Sequence, residues 1–206
     1  MPNWCSTRVT LRCKDEAASH AVYDKLKSWN KSVMDTDFGD AWLGNILVNS
    51  GFCSGEKACY SPSLRCRGFI LWIKTDGQDV LIDTETAWAP MLQMWRIVCD
   101  RCFPEVTKIL YTAEEPGMEV FITNDEDIVG NVILDIPAWD FYETGNPKDI
   151  LTGFLMEVKK QKPKLFEALK AAQINTIDAI ARNLFQFSGI EAYVHVYEYC
   201  DIEDLD

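Results

Sequence analysis

The chain has 206 residues and a mass of 23.5 kDa, which suits one domain with a sizeable appendage at roughly 150 residues per domain. Hydrophobic residues make up 48% of it, and no apolar run approaches the roughly 20 residues of a membrane-spanning helix, so a soluble globular protein is expected. The net charge of −12 and the pI of about 4.6 argue against direct binding to nucleic acid or to an anionic membrane.

The negative charge is confined to the second half of the chain. Residues 1–103 carry 12 basic and 12 acidic side chains, whereas residues 104–206 carry 8 basic and 20 acidic ones. Within the second half, residues 104–158 hold 2 basic and 12 acidic side chains, and residues 159–170 hold five lysines. This pattern has two interpretations, a solvated surface or a field that attracts a basic protein partner.

The eight cysteines are interpreted as reduced thiols of a cytoplasmic protein, because the N-terminus has no basic-then-apolar leader. Cys99 and Cys102 form a Cys-x-x-Cys pair, but at the end of a predicted helix, where the dipole disfavours the thiolate. Cys53, Cys59 and Cys66 lack the tight spacing of a zinc knuckle. No metal site, cofactor or catalytic residue is therefore expected.

The first half reads as strand, helix, hairpin and helix around an irregular segment. Alternation of apolar and polar residues predicts the first strand, an Asp-Gly pair marks the hairpin, and Pro90 and Pro104 bound the second helix. The predicted elements are a strand at Ser6–Cys13, a helix at Glu16–Ser28, an insertion at about 30–66 packed by Trp42, Leu43, Ile46, Leu47 and Phe52, and strands at Gly68–Lys74 and Val80–Thr86.

The second half begins with strands and continues with helices. The predicted elements are strands at Val106–Thr112, Glu119–Thr123 and Val132–Ile136, a helix through Ile150, Phe154 and Val158, a helix that Pro163 begins, a helix capped by Asn175 with Asp178, and a closing strand at Gly189–Cys200. The order strand-helix-strand-strand-helix-strand is that of a split βαβ, ferredoxin-like sheet. We therefore predict an α+β fold, with a ferredoxin-like antiparallel sheet, extra strands and a C-terminal helical layer.

Two domains are predicted within this fold. Residues 1–136 form the ferredoxin-like domain, and residues 137–206 form a helical extension with a closing strand that packs on the same domain.

Three segments resemble a known family. They are Met1-Pro2-Asn3-Trp4-Cys5-Ser6 at the start, Thr86-Ala87-Trp88-Ala89-Pro90 before the second helix, and Glu114-Glu115-Pro116-Gly117. Together they resemble the YubB-like ferredoxin-fold family of plasmid, phage and other mobile-element proteins, over roughly residues 1–130. The chain departs from that family at Ser6-Thr7 and in its tail, 137–206. The resemblance implies the fold and a mobile-element setting, without catalytic residues.

Three groups of residues are candidate sites. The family motif residues Trp4, Cys5, Trp88, Pro116 and Gly117 are expected to be structural, with the large rings covering the open end of the sheet. A possible ligand face on the last strand holds Tyr193, His195, Tyr197 and Tyr199. A partner-binding acidic surface comprises Glu114, Glu115, Glu119, Asp125, Glu126, Asp127, Asp135, Asp140 and Glu143.

The missing catalytic constellation favours a non-enzymatic cytoplasmic interaction protein of a mobile element, acting as an anti-defence or regulatory inhibitor whose acidic surface binds a basic protein groove. The alternative is a small-ligand-binding protein or enzyme that uses the strand face of Tyr193, His195 and Tyr197.

Overall fold

A computed structural model describes residues 3–31, 38–53, 60–61 and 64–205. The chain forms two compact units. Unit 1 comprises Met1–Asp125 and Tyr199–Asp206, and unit 2 comprises Glu126–Glu198. The segment that makes up unit 2 is therefore inserted in the sequence of unit 1. The α+β class predicted from the sequence is confirmed.

Unit 1 is built on a six-stranded sheet. Its strands are β1 (Trp4–Cys13), β4 (Gly68–Asp76), β5 (Asp79–Ala87), β6 (Val106–Glu115), β7 (Val120–Thr123) and β11 (Glu198–Tyr199), and its helices are α1 (Glu16–Trp29), α2 (Leu43–Asn49) and α3 (Leu92–Cys102). A separate pair of short strands consists of β2 (Tyr60–Ser61) and β3 (Leu64–Arg65).

The strand order confirms the ferredoxin-like sheet. It runs β11-β7-β6-β1-β5-β4, and the central strand β1 pairs antiparallel with both β5 and β6. Period-2 alternation places Val9 and Leu11 on the face that α1 and α3 cover, and Arg8 and Arg12 on the opposite face. The hairpin between β4 and β5 turns at Gly77, whose φ of 56° suits glycine. The sheet is therefore covered by helices on one face, and its other face carries paired charges.

The insertion between α1 and β4 contributes to the core through α2. Trp42, Leu43, Ile46 and Leu47 are buried, as the sequence predicts. Phe52 was expected to pack with them but is 38% exposed, because the chain leaves the helix at Gly51, whose φ is 71°. Parts of the predicted insertion, at 32–37, 54–59 and 62–63, lie outside the described residues.

The last residues of the chain complete unit 1. The backbone N–H of Cys200 donates to the carbonyl of Thr123 at 2.9 Å, next to the pairing of β11 with β7. The hydroxyl of the buried Tyr111 donates to the carbonyl of Cys200 at 2.7 Å. Burial, followed by this hydrogen bond, raises the pKa of Tyr111 above its ordinary value. The C-terminal segment is thus anchored to unit 1 by backbone and side-chain hydrogen bonds.

Unit 2 places three helices beside a small sheet. Its elements are β8 (Val132–Ile136), β9 (Phe141–Gly145), α4 (Pro147–Gln161), α5 (Pro163–Ala171), α6 (Ile177–Ser188) and β10 (Tyr193–Val196), and the sheet order is β10-β8-β9. The apolar side chains of Leu134, Ile136, Phe154, Ile180 and Leu184 form its core. The three helices predicted from periodicity are present, although Thr176 rather than Asn175 caps α6, its hydroxyl accepting from the N–H of Ala179.

The closing strand differs from the prediction. Instead of one strand at Gly189–Cys200, the chain forms β10 and β11 in different sheets, with Tyr197 between them. The N–H of Tyr197 donates to the carbonyl of Asn131, and its carbonyl accepts from Gly130, so these bonds end β10. The strand β8, which the sequence assigned to the first domain, pairs with β9 and β10 in unit 2.

Among the described cysteines, Cys53 differs from the expectation of eight reduced thiols. Cys53 is disulfide-bonded, whereas Cys5, Cys13, Cys66, Cys99, Cys102 and Cys200 are free. A disulfide depends on two sulfurs meeting in space, which spacing along the sequence does not show. Within the described part of the chain, every helix is too short or too polar to cross a bilayer.

Candidate functional site

A groove lies between the strand β9 and the helix α4 of unit 2. Asn146 and Pro147 set its shape, because the Asn146 side chain accepts from the N–H of Lys148 at 3.0 Å and Pro147 fits the first helical turn. The chain therefore leaves β9 and enters α4 within two residues. The groove has a volume of about 440 Å³, within the range of ligand-binding clefts. We call it the acidic groove, and it is lined by Trp139, Asp140, Phe141, Glu143, Asp149, Ile150, Gly153, Phe154, Glu157 and Gln161.

Aromatic rings form the apolar lining of the acidic groove. The rings of Trp139 and Phe154 stack with their centres 6.1 Å apart, and Phe141 meets Phe154 edge-on at 5.8 Å. Phe154 is also part of the unit 2 core and is only 1% exposed, so the rings are fixed by packing. The groove therefore offers a preformed aromatic surface.

Four carboxylates line the same groove. Asp140 and Glu143 were predicted as part of the acidic surface, and Asp149 and Glu157 join them from α4. Asp140 has a φ of 52°, in the left-handed region that aspartate tolerates, and follows a 3-10 turn at Pro137–Trp139. Among the described side chains, no ion pair neutralises any of these four groups, although Gln161 donates to Glu157. The groove combines aromatic surface with uncompensated negative charge.

A cation already lies against one of these rings. The ammonium of Lys162, just after α4, sits 5.1 Å from the centre of the Trp139 ring. Lys162 also lines a smaller cavity of about 20 Å³ that shares Trp139, Phe141 and Phe154 with the acidic groove. The position of Lys162 shows that a cation is accommodated against this ring.

The register of unit 2 brings one residue of the predicted tyrosine face next to one residue of the predicted acidic surface. Tyr193 of β10 lies opposite Asp135 of β8, and Tyr142 of β9 lies opposite Asp135 on the other side. Both tyrosines are about half exposed, and the Tyr193 hydroxyl donates to Glu191 at 2.9 Å. These residues face away from the core that β8 shares with the helices.

The rest of the predicted tyrosine face does not form one row. His195 is half-buried, Tyr197 is 2% exposed, and Tyr199 is exposed but belongs to unit 1. The alternation along the chain is interrupted where β10 ends, so the four side chains do not share a strand. The structure therefore keeps only Tyr193 and His195 of this face on β10.

The nine predicted acidic residues are divided between the units. In unit 1, Glu115 is buried, Glu119 is exposed, and Glu114 and Asp125 are half-buried. In unit 2, Glu126, Asp127, Asp140 and Glu143 are exposed and Asp135 is half-buried. Of the nine, Asp140 and Glu143 line the acidic groove, while the burial of Glu115 is at odds with a place on a partner-binding surface.

The motif residues of unit 1 meet at one end of its sheet. Cys5 is buried opposite Thr86, and Trp4 lies opposite Ala87. The N–H of Trp88 donates to the carbonyl of Asn3 at 2.9 Å, with Trp88 in the left-handed region at a φ of 75°. Burial is the largest cause that raises the pKa of the Cys5 thiol. Trp4 and Trp88 are each 46% exposed, so about half of each residue is accessible to solvent.

Glu115 belongs to the same end of the sheet. Its Oε1 accepts from the N–H of Gly117 at 3.1 Å, and its buried Oε2 has no hydrogen-bond partner among the described residues. Pro116 and Gly117 form an exposed 3-10 turn. The carboxylate therefore fixes the turn that follows β6.

Comparison with known proteins gives no family: no family model matches the chain, and neither the curated proteins nor the solved structures contain a significant match. The resemblance to the YubB-like family stays a prediction.

Proposed function

We propose that this protein is a non-enzymatic binding protein that holds a basic segment of a partner protein in the acidic groove. The observation that carries the proposal is the combination of four carboxylates with a packed aromatic surface in one open groove. Lysine and arginine side chains have an apolar stem and a charged head, and such side chains match both parts of this lining.

Charge favours a cationic occupant. The carboxylates of Asp140, Glu143 and Asp149 carry like charges along one groove, so a positive group that enters the groove lowers their electrostatic energy. The aromatic side chains add a surface on which the apolar stem of a lysine or arginine packs, and Lys162, 5.1 Å from the centre of the Trp139 ring, shows that a lysine is accommodated there.

A protein side chain suits the groove better than a hard metal ion does. Calcium and magnesium are bound by oxygen atoms that converge on one point, whereas half of this lining is apolar. Within the described residues, no three carboxylate, histidine or cysteine side chains come together as a metal site. The guanidinium or ammonium group of an arginine or lysine needs fewer converging oxygen atoms, because the apolar stem of the side chain also packs on the rings.

The setting of this activity rests on the sequence. The resemblance of residues 1–130 to the YubB-like family supports a protein of a plasmid, phage or other mobile element. The negative field of the second half of the chain supports an anti-defence or regulatory inhibitor that competes for a basic groove. The tyrosine-face alternative loses support, because Tyr197 is buried away from Tyr193 and His195.

Peptide binding tests the proposed function. The probe is a fluorescent heptapeptide of alternating arginine and threonine, and the control is a heptapeptide with acidic residues at the arginine positions. Trp139 is the single tryptophan of unit 2, so 5-fluorotryptophan labelling reports the groove by ¹⁹F NMR. We expect the basic peptide alone to shift the Trp139 signal, with binding that weakens as salt rises.

The double variant Asp140→Asn, Glu143→Gln should bind this peptide about tenfold more weakly, at roughly 0.7 kcal/mol for each charge. The matched control is Glu167→Gln with Asp178→Asn, which removes the same charge from exposed positions outside the groove. Equal losses in both double variants, or binding without a Trp139 shift, would overturn the proposal.

A further inference from the structure

The wall of the acidic groove is an edge strand. In the order β10-β8-β9, the strand β9 pairs with β8 on one side only among the described residues. Alternate N–H and C=O groups of Phe141–Gly145 therefore point away from the sheet. Phe141 and Glu143 of this strand line the groove, whose other side is α4. The groove thus runs beside a set of backbone groups that another strand can pair with.

This edge has only one of the usual protections against strand pairing, a single charge that points towards the helix side. Natural edge strands are blunted by lysine, proline, bulges or inward-pointing charges. The sequence Phe141-Tyr142-Glu143-Thr144-Gly145 contains no lysine or proline, and its register with β8 is regular over all five residues. Its single charge, Glu143, is negative and faces the groove. The edge therefore repels acidic strands and accepts basic ones.

We propose that the basic segment binds as an added β-strand, pairing with β9 between that strand and α4. This inference rests on the function proposed above and adds the form of the partner. Strand addition gives affinity through main-chain hydrogen bonds and specificity through alternate side chains. Side chains on the helix side enter the acidic groove, where Glu143, Asp149 and Glu157 face their charged heads.

The opposite face of the added strand meets a second set of residues. Side chains on that face lie next to Tyr142, with Asp135 one strand further in. Tyr142 is 54% exposed, so its ring is accessible to a neighbour on the added strand. A strand with basic residues at every second position therefore places its charges in the groove and its intervening side chains against Tyr142.

Backbone methylation of the peptide tests this pairing. Alternate amides of an added strand donate to β9 and the others point to solvent. Two versions of the arginine–threonine heptapeptide are made, one N-methylated at the arginines and the other at the threonines. We expect one version to lose at least about tenfold in affinity, because two or three hydrogen bonds are removed, and the other to bind within about twofold of the parent.

The outcomes separate the two proposals. If the unmethylated peptide does not shift the Trp139 signal, the proposed function fails. If it does, but both methylated versions bind like the parent, strand addition is overturned while the basic-segment function stands.

Hydrogen exchange and self-association add further checks. Bound peptide should slow amide exchange at alternate residues of β9, and uniform or absent protection would overturn the inference. Sedimentation at rising protein concentration tests whether a second copy of the chain, rather than a basic segment, occupies the edge of β9. A dimer that slows the same amides and that the peptide cannot dissociate would also overturn it.

Discussion

The two units of this protein use charged side chains in opposite ways. On the open sheet face of unit 1, Arg8 makes two hydrogen bonds with Asp83 at 2.8 and 2.9 Å, and Arg12 makes two with Asp79 at 3.0 Å. In unit 2, the carboxylates of the acidic groove make no ion pair with a described side chain. Both sets of side chains are rich in charge, but only those of unit 1 are neutralised by ion pairs within the described part of the chain. The pairing of charges is therefore more informative than the total of −12.

The two units also differ in what they bury. Unit 1 buries the polar side chains of Thr7, Thr84 and Thr86 near its motif end, and it contains every cysteine of the chain. Unit 2 has an apolar core and contains no cysteine. It also contains a single tryptophan, Trp139, so the two units can be followed separately by spectroscopy.

The largest effect is expected from Phe154→Ala. Phe154 supports both the unit 2 core and the groove rings, and its loss should cost about 3–5 kcal/mol. In a urea titration, the ¹⁹F signal of Trp139 should then report unfolding of unit 2 at a lower urea concentration than in the wild type. The signals of the six tryptophans of unit 1 should keep their unfolding midpoint. The matched control is Phe185→Ala, because Phe185 is 61% exposed and its loss should cost little. A simultaneous shift of all seven signals would show that the units unfold together.

Alkaline pH should weaken unit 1 selectively. Burial raises the pKa of the Cys66 thiol from 9.0 to about 12. The unfolded chain therefore releases this proton first, and stability is lost as pH rises from about 9 to about 12, by as much as about 4 kcal/mol. Urea unfolding of the wild type and of Cys66→Ala at pH 8 and pH 10.5 measures the effect. The free energy of unfolding of Cys66→Ala should fall less between these two pH values than that of the wild type. Equal losses would show that the Cys66 thiol is not the cause of the pH dependence.

Filling the groove should block binding without damage to the fold. A Cβ atom at Gly153 would meet no heavy atom within 4 Å, and Gly153 is exposed, so a side chain at this position projects into open space beside the groove. Gly153→Leu should weaken binding of the arginine–threonine peptide about tenfold, and Gly153→Ala less than about twofold. Both should raise the stability of unit 2 by up to about 1 kcal/mol through helix propensity. If Gly153→Leu binds the peptide as tightly as the wild type does, the peptide binds outside the acidic groove.

The smallest effect is expected from Tyr111→Phe. This change removes the hydroxyl that donates to the carbonyl of Cys200 at 2.7 Å and should cost about 1 kcal/mol. Amide exchange at Cys200, whose N–H bonds to Thr123, should become faster, while β9 and β10 exchange unchanged. Faster exchange throughout unit 2 would show that the anchoring of the C-terminal segment also supports that unit.

Local patterns predicted the ferredoxin-like sheet because its strands alternate regularly and Asp76-Gly77 specifies the hairpin. The strand β9 was missed, although the aromatic residues Phe141 and Tyr142 favour a strand. The break at Tyr197 was missed because it depends on hydrogen bonds to Gly130 and Asn131, far away in sequence.

The sequence predicted two of the four carboxylates that line the acidic groove. Asp140 and Glu143 were singled out, whereas Asp149 and Glu157 on α4 were not. A signal was present: Asp149, Gly153, Glu157 and Gln161 recur every four residues and so share one helix face. What the sequence did not show is that Asn146-Pro147 folds this face back towards β9.

The interrupted path of the chain has a consequence for biosynthesis. The strand β7 is made early, but its neighbour β11 is complete only after all 73 residues of unit 2 have been made. Until then the outer edge of β7 has no strand beside it, and the acceptor for Tyr111 does not exist. A chain that stops at residue 198 would therefore carry a finished inserted unit and an open, aggregation-prone sheet edge.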